Sequence, residues 1–301
     1  MSGVMTMALC ALADTVPCPC GCASASVVHV GNGQELLRCR QCSLLARAKM
    51  PTEEEAVSFY RDDYWVHFRM EQIGRGRANV YVQALSWLTD RHPAAGMLVD
   101  VGCGGGAFLR HCRERGWSAI GFDPSVQAVA YAREHGLEAY AEKWPPCSLP
   151  DESADAVTLI NVLDHLRDPF GVLGEAWRIL RPGGVLYIRV PNGPVHMNLK
   201  RALNSIGLGQ LAVFHLYGFS RDAFLHHLPR LGFTSVAVRM AMPSQEDEYG
   251  RTEGVRPIFR RILKLADRMG YRLFRIFGLD QKAWAPAIEV MACKASLGTT
   301  R

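Results

Sequence analysis

Apolar and polar positions alternate along the chain in a way that predicts strands and helices in turn. Met97, Leu98 and Val99 form an apolar run ending in Asp100, and Ala119–Phe122 forms a second ending in Asp123. Leu137–Tyr140, Ala154–Ile160 and Val185–Val190 read as three further strands, short and apolar enough to be buried on both faces. Between them the period changes. Val80, Ala84, Leu85 and Leu88 keep the spacing of one helical face, Pro124-Ser125 opens another helix, and a third closes at Leu180 before Arg181-Pro182-Gly183-Gly184. Strand alternating with helix predicts an α/β fold with a parallel sheet. Thr234–Met240 and Ala287–Ala292 read as a closing antiparallel pair, joined by a segment too long for a hairpin. Nearer the start, Val27–Val30 and Gln34–Arg38 flank Asn32-Gly33, a hairpin signal, and Glu53–Tyr60 reads as a short helix after Pro51-Thr52.

Glycine changes the picture at the end of the first long strand. Gly102, Gly104, Gly105 and Gly106 allow a tight turn into the helix at Ala107, and they let a ligand approach bare backbone at a helix start that favours an anionic group. Asp123, one strand over, can accept both hydroxyls of a ribose. By itself Gly102-x-Gly104-x-x-Ala107 also fits a dinucleotide fingerprint.

Four motifs in order narrow it: LVDVGCGGG at Leu98–Gly106, GFDPS at Gly121–Ser125, NVLDHLRDP at Asn161–Pro169 and LRPGG at Leu180–Gly184. Together they resemble the class I S-adenosylmethionine (SAM) dependent methyltransferases over roughly residues 97–240. The resemblance implies a Rossmann-like, seven-stranded sheet with helices on both faces and SAM as cofactor. It places the cofactor at Asp100, Gly102, Gly104, Gly106, Asp123, Glu142 and Asn161, with Glu142 at the adenine. Asp164 and His165 follow the fourth strand, and HLYGFS at His215–Ser220 resembles an element that faces the acceptor in relatives. Asp164, His165 and His215 are therefore the candidate catalytic residues. A histidine suits removal of the acceptor's proton because its ordinary pKa lies near working pH. Ubiquinone-type O-methyltransferases place an acid and a histidine at this point, so Asp164 and His165 are also candidates to hold Mg²⁺; a purely structural His165 is the plain alternative.

The cysteines add a second feature. Five of the ten, Cys18, Cys20, Cys22, Cys39 and Cys42, crowd around the predicted hairpin. Thiolates at both ends of one hairpin can close a tetrahedral Zn²⁺ site and so stabilise a piece too small for its own core. Cys39-x-x-Cys42 is a regular knuckle. Cys18-x-Cys20-x-Cys22 is not, and the expected pairing is Cys18 or Cys20 with Cys22; a degenerate ribbon without metal is the alternative. Many bacterial relatives carry such a ribbon followed by a segment like Phe59–Trp65, whose aromatic residues would cover the cofactor mouth or staple the ribbon to the main domain. The expected division is a zinc-ribbon-like module at 1–48, a helical and aromatic lead-in at 49–95, and the methyltransferase domain at 96–301 with an insertion at about 244–284.

Charge singles out that insertion. Val255–Gly278 holds seven Lys or Arg against Asp267, whereas the whole chain is only +5. Ile258, Ile262, Leu265, Met269, Leu273 and Ile276 form an apolar stripe beside a basic one of Arg260, Lys264, Arg268 and Arg272. Such a helix fits peripheral contact with an anionic bilayer, or a lid with its arginines in water. No run reaches the ~18 apolar residues of a spanning helix, and Val4–Ala13 lacks a cationic lead, so the expected location is cytoplasmic, with peripheral contact at the inner face of the membrane left open by the basic helix. The expected reaction is O-methylation of a small or lipid-like acceptor. The alternative is an rRNA or other nucleic-acid methyltransferase that reads its substrate through the ribbon, against which Val16–Arg40 carries only Arg38 and Arg40 and no aromatic residue.

Overall fold

Leu98 and Val99, wholly buried on opposite faces of one strand, lie at the centre of the sheet on which the molecule is built. The computed structural model describes residues 18–31, 33–73, 75–92, 94–208, 215–244, 265, 268–273, 276–277 and 285–296. In chain order the elements are β1 (Ala25–Gly31), β2 (Gln34–Cys39), β3 (Leu45–Arg47), α1 (Glu53–Ser58), α2 (Tyr64–Ile73), α3 (Ala78–Arg91), β4 (Met97–Val101), α4 (Ala107–Arg113), β5 (Ser118–Phe122), α5 (Val126–Glu134), β6 (Glu138–Tyr140), β7 (Ala154–Ile160), α6 (Pro169–Ile179), β8 (Leu180–Pro191), α7 (Gly193–Ser205), β9 (Tyr217–Gly218), α8 (Arg221–His227), β10 (Phe233–Met240) and β11 (Ala287–Lys294).

Seven strands form the main sheet in the order β10-β11-β8-β7-β4-β5-β6. β11 runs antiparallel to β8 and β10, and the pairs among β4 to β8 are parallel. The expected doubly covered α/β sheet, with its closing antiparallel strand, is therefore present. Period-two alternation sorts the side chains: Leu98, Ala119, Ala156 and Tyr187 pack with α3, α4 and α5, whereas Val99, Ile120, Val157 and Ile188 pack with α6 and α8. Order reverses at β4, so the carboxyl ends of β4 and β7 open onto the crevice where such sheets take ligands.

A second sheet has the order β1-β2-β3-β9. The hairpin of β1 and β2 is the one the sequence predicts, although Asn32 itself lies outside the described residues. Its last strand comes from far along the chain: Leu45 pairs with Gly218 and Ala46 with Tyr217. The amino-terminal module is thus completed by the crossover that follows β8. That crossover also contains α7, whose Met197 packs with Val30, Leu36 and Leu45 beneath the hairpin. At the start of α7, a Cβ on Gly193 would lie 2.4 Å from the backbone carbon of Gly218, so only glycine permits this approach.

α1 begins with a capping box in which Thr52 and Glu55 satisfy each other's backbone N–H groups. A π-helical turn, Phe59–Asp63, then carries the chain into α2. Of the insertion, residues 268–273 are helical, and Leu265, Met269, Leu273, Ile276 and Phe277 are exposed. Ile258, Ile262, Arg260 and Lys264, like Val4–Ala13, lie outside the described residues.

Candidate active site

The turn after β4 is built as the glycines require. Gly102, Gly104 and Gly106 have φ of +74°, +50° and +78°, all left-handed, and a Cβ on Gly102 would sit 2.4 Å from Val162 Cγ2. Gly102 N–H donates to Phe122 O at 2.7 Å, drawing the turn onto the neighbouring strand. Asp123 meets it there: Oδ2 accepts from Gly104 N–H and Oδ1 from Ser125 N–H, each at 2.9 Å. Burial nevertheless pushes the Asp123 carboxyl upward. Asp100 is 3% exposed, and the parallel register sets Thr158 opposite it, so that Thr158 Oγ1 donates to Asp100 Oδ1 at 2.6 Å. Desolvation raises this carboxyl to about 7.

One cavity runs along these groups, walled by Asp100, Gly102, Gly104, Asp123 and Asn161, by Tyr60 and Tyr64 from the lead-in, and by Arg77, Tyr81, Phe108, Leu166 and His165. Exposed backbone, a buried carboxyl whose side-chain partner is the Thr158 hydroxyl and a second carboxyl at the turn are what a cationic sulfonium nucleoside needs. The residues present fit SAM. Asn161, at φ +57°, accepts from Arg189 Nη1 at 2.5 Å. Two expected cofactor residues sit elsewhere. Gly106 packs the turn against Leu137 and Ala132, and Glu142 accepts from Ser148 Oγ at 3.2 Å outside the cavity wall. Tyr60, Tyr64, Arg77, Tyr81 and Phe108 were not singled out individually as cofactor-site residues by sequence. The first two fall in the aromatic cluster expected over the mouth, and Trp65 of the same cluster is buried against Tyr131.

At His165, on the cavity wall, Asp164 and His215 converge. Each offers one donor atom, and the three atoms lie within 4.8 Å of one another. Asp164 Oδ2 is 3.7 Å from His165 Nε2 and 3.9 Å from His215 Nε2, and the two rings are 3.8 Å apart between centroids. Tyr60 Oη lies 2.6 Å from His165 Nδ1. Pairing of β3 with β9 sets His215: Arg47 N–H donates to Leu216 O at 2.9 Å, and Leu216 N–H to Asp164 O at 3.0 Å. Burial pushes both histidines down to about 4. A histidine with a pKa near working pH, expected from sequence, is therefore corrected: desolvation leaves both imidazoles neutral and weakly basic.

The cysteine cluster also gathers, with one revision. Cys18 Sγ is 3.5 Å from Cys42 Sγ, and Cys20 Sγ 3.5 Å from Cys39 Sγ. All four sulfurs lie within 4.8 Å of one another, and four thiolates ~2.3 Å from one Zn²⁺ would stand ~3.8 Å apart. The set fits tetrahedral zinc. Cys22, expected in the first knuckle, is outside the group. A turn closed by Gly21 N–H on Cys18 O, with Gly21 at φ +81°, directs its sulfur to the Ser24 backbone at 3.4 Å. His29 stays on the hairpin surface beside Glu35.

Comparison with known proteins agrees with this geometry. A methyltransferase-domain family profile matches residues 73–238, more than half of the chain. The chain is 32% identical over 122 residues to the ubiquinone biosynthesis O-methyltransferase of Pseudomonas fluorescens, a match covering 36% of this chain and 50% of the relative. It thus spans about half the length of that relative. The enzyme of the same name from Ralstonia nicotianae is 31% identical over 181 residues, covering 58% of this chain and 68% of the relative. Among solved structures, a SAM-dependent methyltransferase from Archaeoglobus fulgidus superposes with a TM-score of 0.52 at 20% identity, covering 77% of this chain and all of the other. A 1,6-didemethyltoxoflavin-N1-methyltransferase from Burkholderia thailandensis gives 0.54 at 13% identity, covering 90% of this chain and all of the other. Strand order, glycine turn, carboxylate and profile coincide, and the chain belongs to the methyltransferase-domain family of class I SAM-dependent enzymes.

Proposed function

We propose that the protein transfers the methyl group of SAM to an oxygen of a small, lipophilic acceptor. The observation that carries this reading is the single cavity with the glycine turn, Asp100 and Asp123 on its wall and His165 and Tyr60 on the same wall. SAM, when bound, supplies an electrophilic methyl carbon on a sulfonium sulfur. The chain's own groups do the rest. Asp123 and the turn hold the nucleoside, Asp100 gives the cation a buried carboxylate, and Tyr60, Tyr64 and Phe108 exclude water. Aligning acceptor and methyl group can lower the barrier by ~7–11 kcal/mol. Tyr81, Phe108, Ile160, Val162 and Leu166 give the cavity apolar walls, which suit a lipophilic acceptor. The curated relatives are named for O-methylation in ubiquinone biosynthesis, which weighs against the nucleic-acid reading. In the same reading Cys18, Cys20, Cys39 and Cys42 hold a structural Zn²⁺. The exposed apolar residues of the insertion beside Arg268 and Arg272 support contact with an anionic bilayer; no helix among the described residues is long and apolar enough to cross one.

Titration calorimetry with SAM and S-adenosylhomocysteine on the full chain tests the cofactor half. Folded protein that releases no heat with either would refute the enzyme. Transfer of isotopically labelled methyl to a panel of phenols, amines and RNA tests the other half. Label on phenolic oxygen is expected; label only on amines or RNA would move the acceptor accordingly.

A further inference from the structure

Building on the methyl-transfer reading, we propose that the Asn161 amide binds the acceptor's reacting oxygen as an oxyanion. Arg189 positions that amide, and the cavity therefore takes acidic hydroxyls such as phenols and enols rather than aliphatic alcohols. Asn161 follows β7 and Arg189 stands beside it near the end of β8: Ile160 pairs with Arg189, and Asn161 N–H donates to Arg189 O at 2.8 Å. Both strand ends lie on the side of β4 away from β5, whose Asp123 serves the nucleoside, and so on the acceptor's side. Asn161 takes a φ of +57°, which asparagine tolerates better than most side chains, and Arg189 Nη1 donates to its Oδ1 at 2.5 Å. That bond gives the amide one orientation, because the flipped form would set N–H against guanidinium. Nδ2 then offers two N–H donors that have no hydrogen-bond partner among the described residues, on a side chain at the cavity wall.

Charge decides what those donors prefer. Arg189 is 2% exposed and Glu289, opposite it on β11, 1%. Glu289 is already engaged: Oε2 accepts from Arg239 Nη2 at 3.1 Å and Oε1 from Met242 N–H at 3.2 Å. Arg239, opposite Glu289 on β10, holds its Cζ 3.7 Å from the centre of the Trp87 ring. Three adjacent strands thus bury two guanidinium groups against one carboxylate. Among the described residues no carboxylate comes within 4.0 Å of the Arg189 guanidinium, and Asp164 feels its charge only from farther off. A buried charge left so is costly. Its hydrogen bond to Asn161 carries the charge to the cavity, where an anionic oxygen would balance it. Of the charged groups on that wall, Arg77 adds to this field, and Asp100 and Asp123 are set against the cofactor. Donors polarised in this way, in a site shielded from water, stabilise an oxyanion far more than the neutral hydroxyl. The hydroxyl proton leaves to solvent as the oxygen binds.

4-Nitrophenol, whose phenolate absorbs in the visible, tests this when titrated into the full chain saturated with S-adenosylhomocysteine, at a pH below the free phenol's pKa. The bound phenol is expected as phenolate, with 4-nitrobenzyl alcohol bound roughly 10- to 150-fold more weakly. Asn161→Asp keeps an oxygen for Arg189 but turns another toward the cavity, and should lose both the phenolate band and the preference. Arg189→Gln should do the same, with Arg189→Lys restoring part of each, which a merely structural arginine would not do. A phenol that stays neutral or does not bind, or a band unchanged in Asn161→Asp, would overturn the proposal. So would weaker binding of S-adenosylhomocysteine, but not of 5′-methylthioadenosine, in Asn161→Asp with the nitrophenol unaffected, since the donors would then serve the cofactor's carboxylate. Melting temperature and heat of S-adenosylhomocysteine binding report the folding of each variant. Should the Arg189 variants not fold, the wild type and Asn161→Asp decide. Cofactor heat without the phenolate band sinks this inference alone; no cofactor heat from folded protein sinks the methyl-transfer reading beneath it.

Discussion

Replacing Asp100 by Asn separates what this carboxyl does to the fold from what it does for the cofactor. The folded-state value of about 7 lies above the unfolded 3.8. The group's contribution to stability is therefore fully present below pH 3.8 and is lost as pH rises through about 7. One pKa unit is about 1.4 kcal/mol, so the whole loss is at most about 4 kcal/mol, of which about 2.5 falls between pH 5 and pH 8. Asn keeps an oxygen for Thr158 Oγ1 and carries no charge. Urea unfolding of the cofactor-free protein at the two pH values should show the wild type losing up to about 2.5 kcal/mol more than Asp100→Asn across that window, with the variant the more stable at the upper end. Every other titrating group is common to both proteins, so the difference isolates this side chain. Affinity for SAM should move the opposite way. A charge-assisted contact is worth about 1.5–3 kcal/mol, a loss of roughly 10- to 150-fold in Kd. Parallel pH profiles, or an unchanged Kd, would refute the assignment of Asp100 as a desolvated partner for the cofactor's cation.

Gly102→Ala forces a side chain into a left-handed backbone and against Val162; a cost of about 1–3 kcal/mol in stability and loss of SAM heat are expected from thermal melts and calorimetry. Cys39→Ser should lower the zinc content of purified protein and the melting temperature together, and retention of full zinc would remove Cys39 from the ligand set. Gly193→Ala drives a methyl group into the Gly218 backbone; faster amide exchange in Leu45–Arg47 and Tyr217–Gly218 is the expected readout, and unchanged protection there would show that this approach does not secure the strand pair.

The central sheet was legible because its strands are apolar runs punctuated by Asp100, Asp123 and Asn161, and both burial and turn chemistry point the same way at each. β9 was not, since two residues carry no periodicity and their pairing with Leu45 and Ala46 is entirely non-local. α7 was hidden for a related reason: Pro191–Pro194 reads as a turn, yet Pro194 also suits a first helical turn, and the helix is held by packing on the hairpin. Within the site, Asp123 beside the glycine turn followed from motif order. Convergence of His215 on Asp164 depended on a strand pair that the sequence does not announce, and the histidine pKa values depend on burial that no local spacing encodes. The cysteines announced a cluster, but only the turn at Gly21 decides that Cys22 stands apart.

Borrowing its outermost strand from residues some 170 positions downstream gives the cysteine-bearing sheet an unusual dependence. Transplanted alone onto a related catalytic domain, the first fifty residues would arrive with an open edge at Leu45–Arg47, and the recipient would gain nothing that fixes a histidine beside its own acid. Ribbon and crossover can be inherited or exchanged usefully only as a pair, so chimeras cut on both sides of each should retain turnover where single-crossover chimeras lose it.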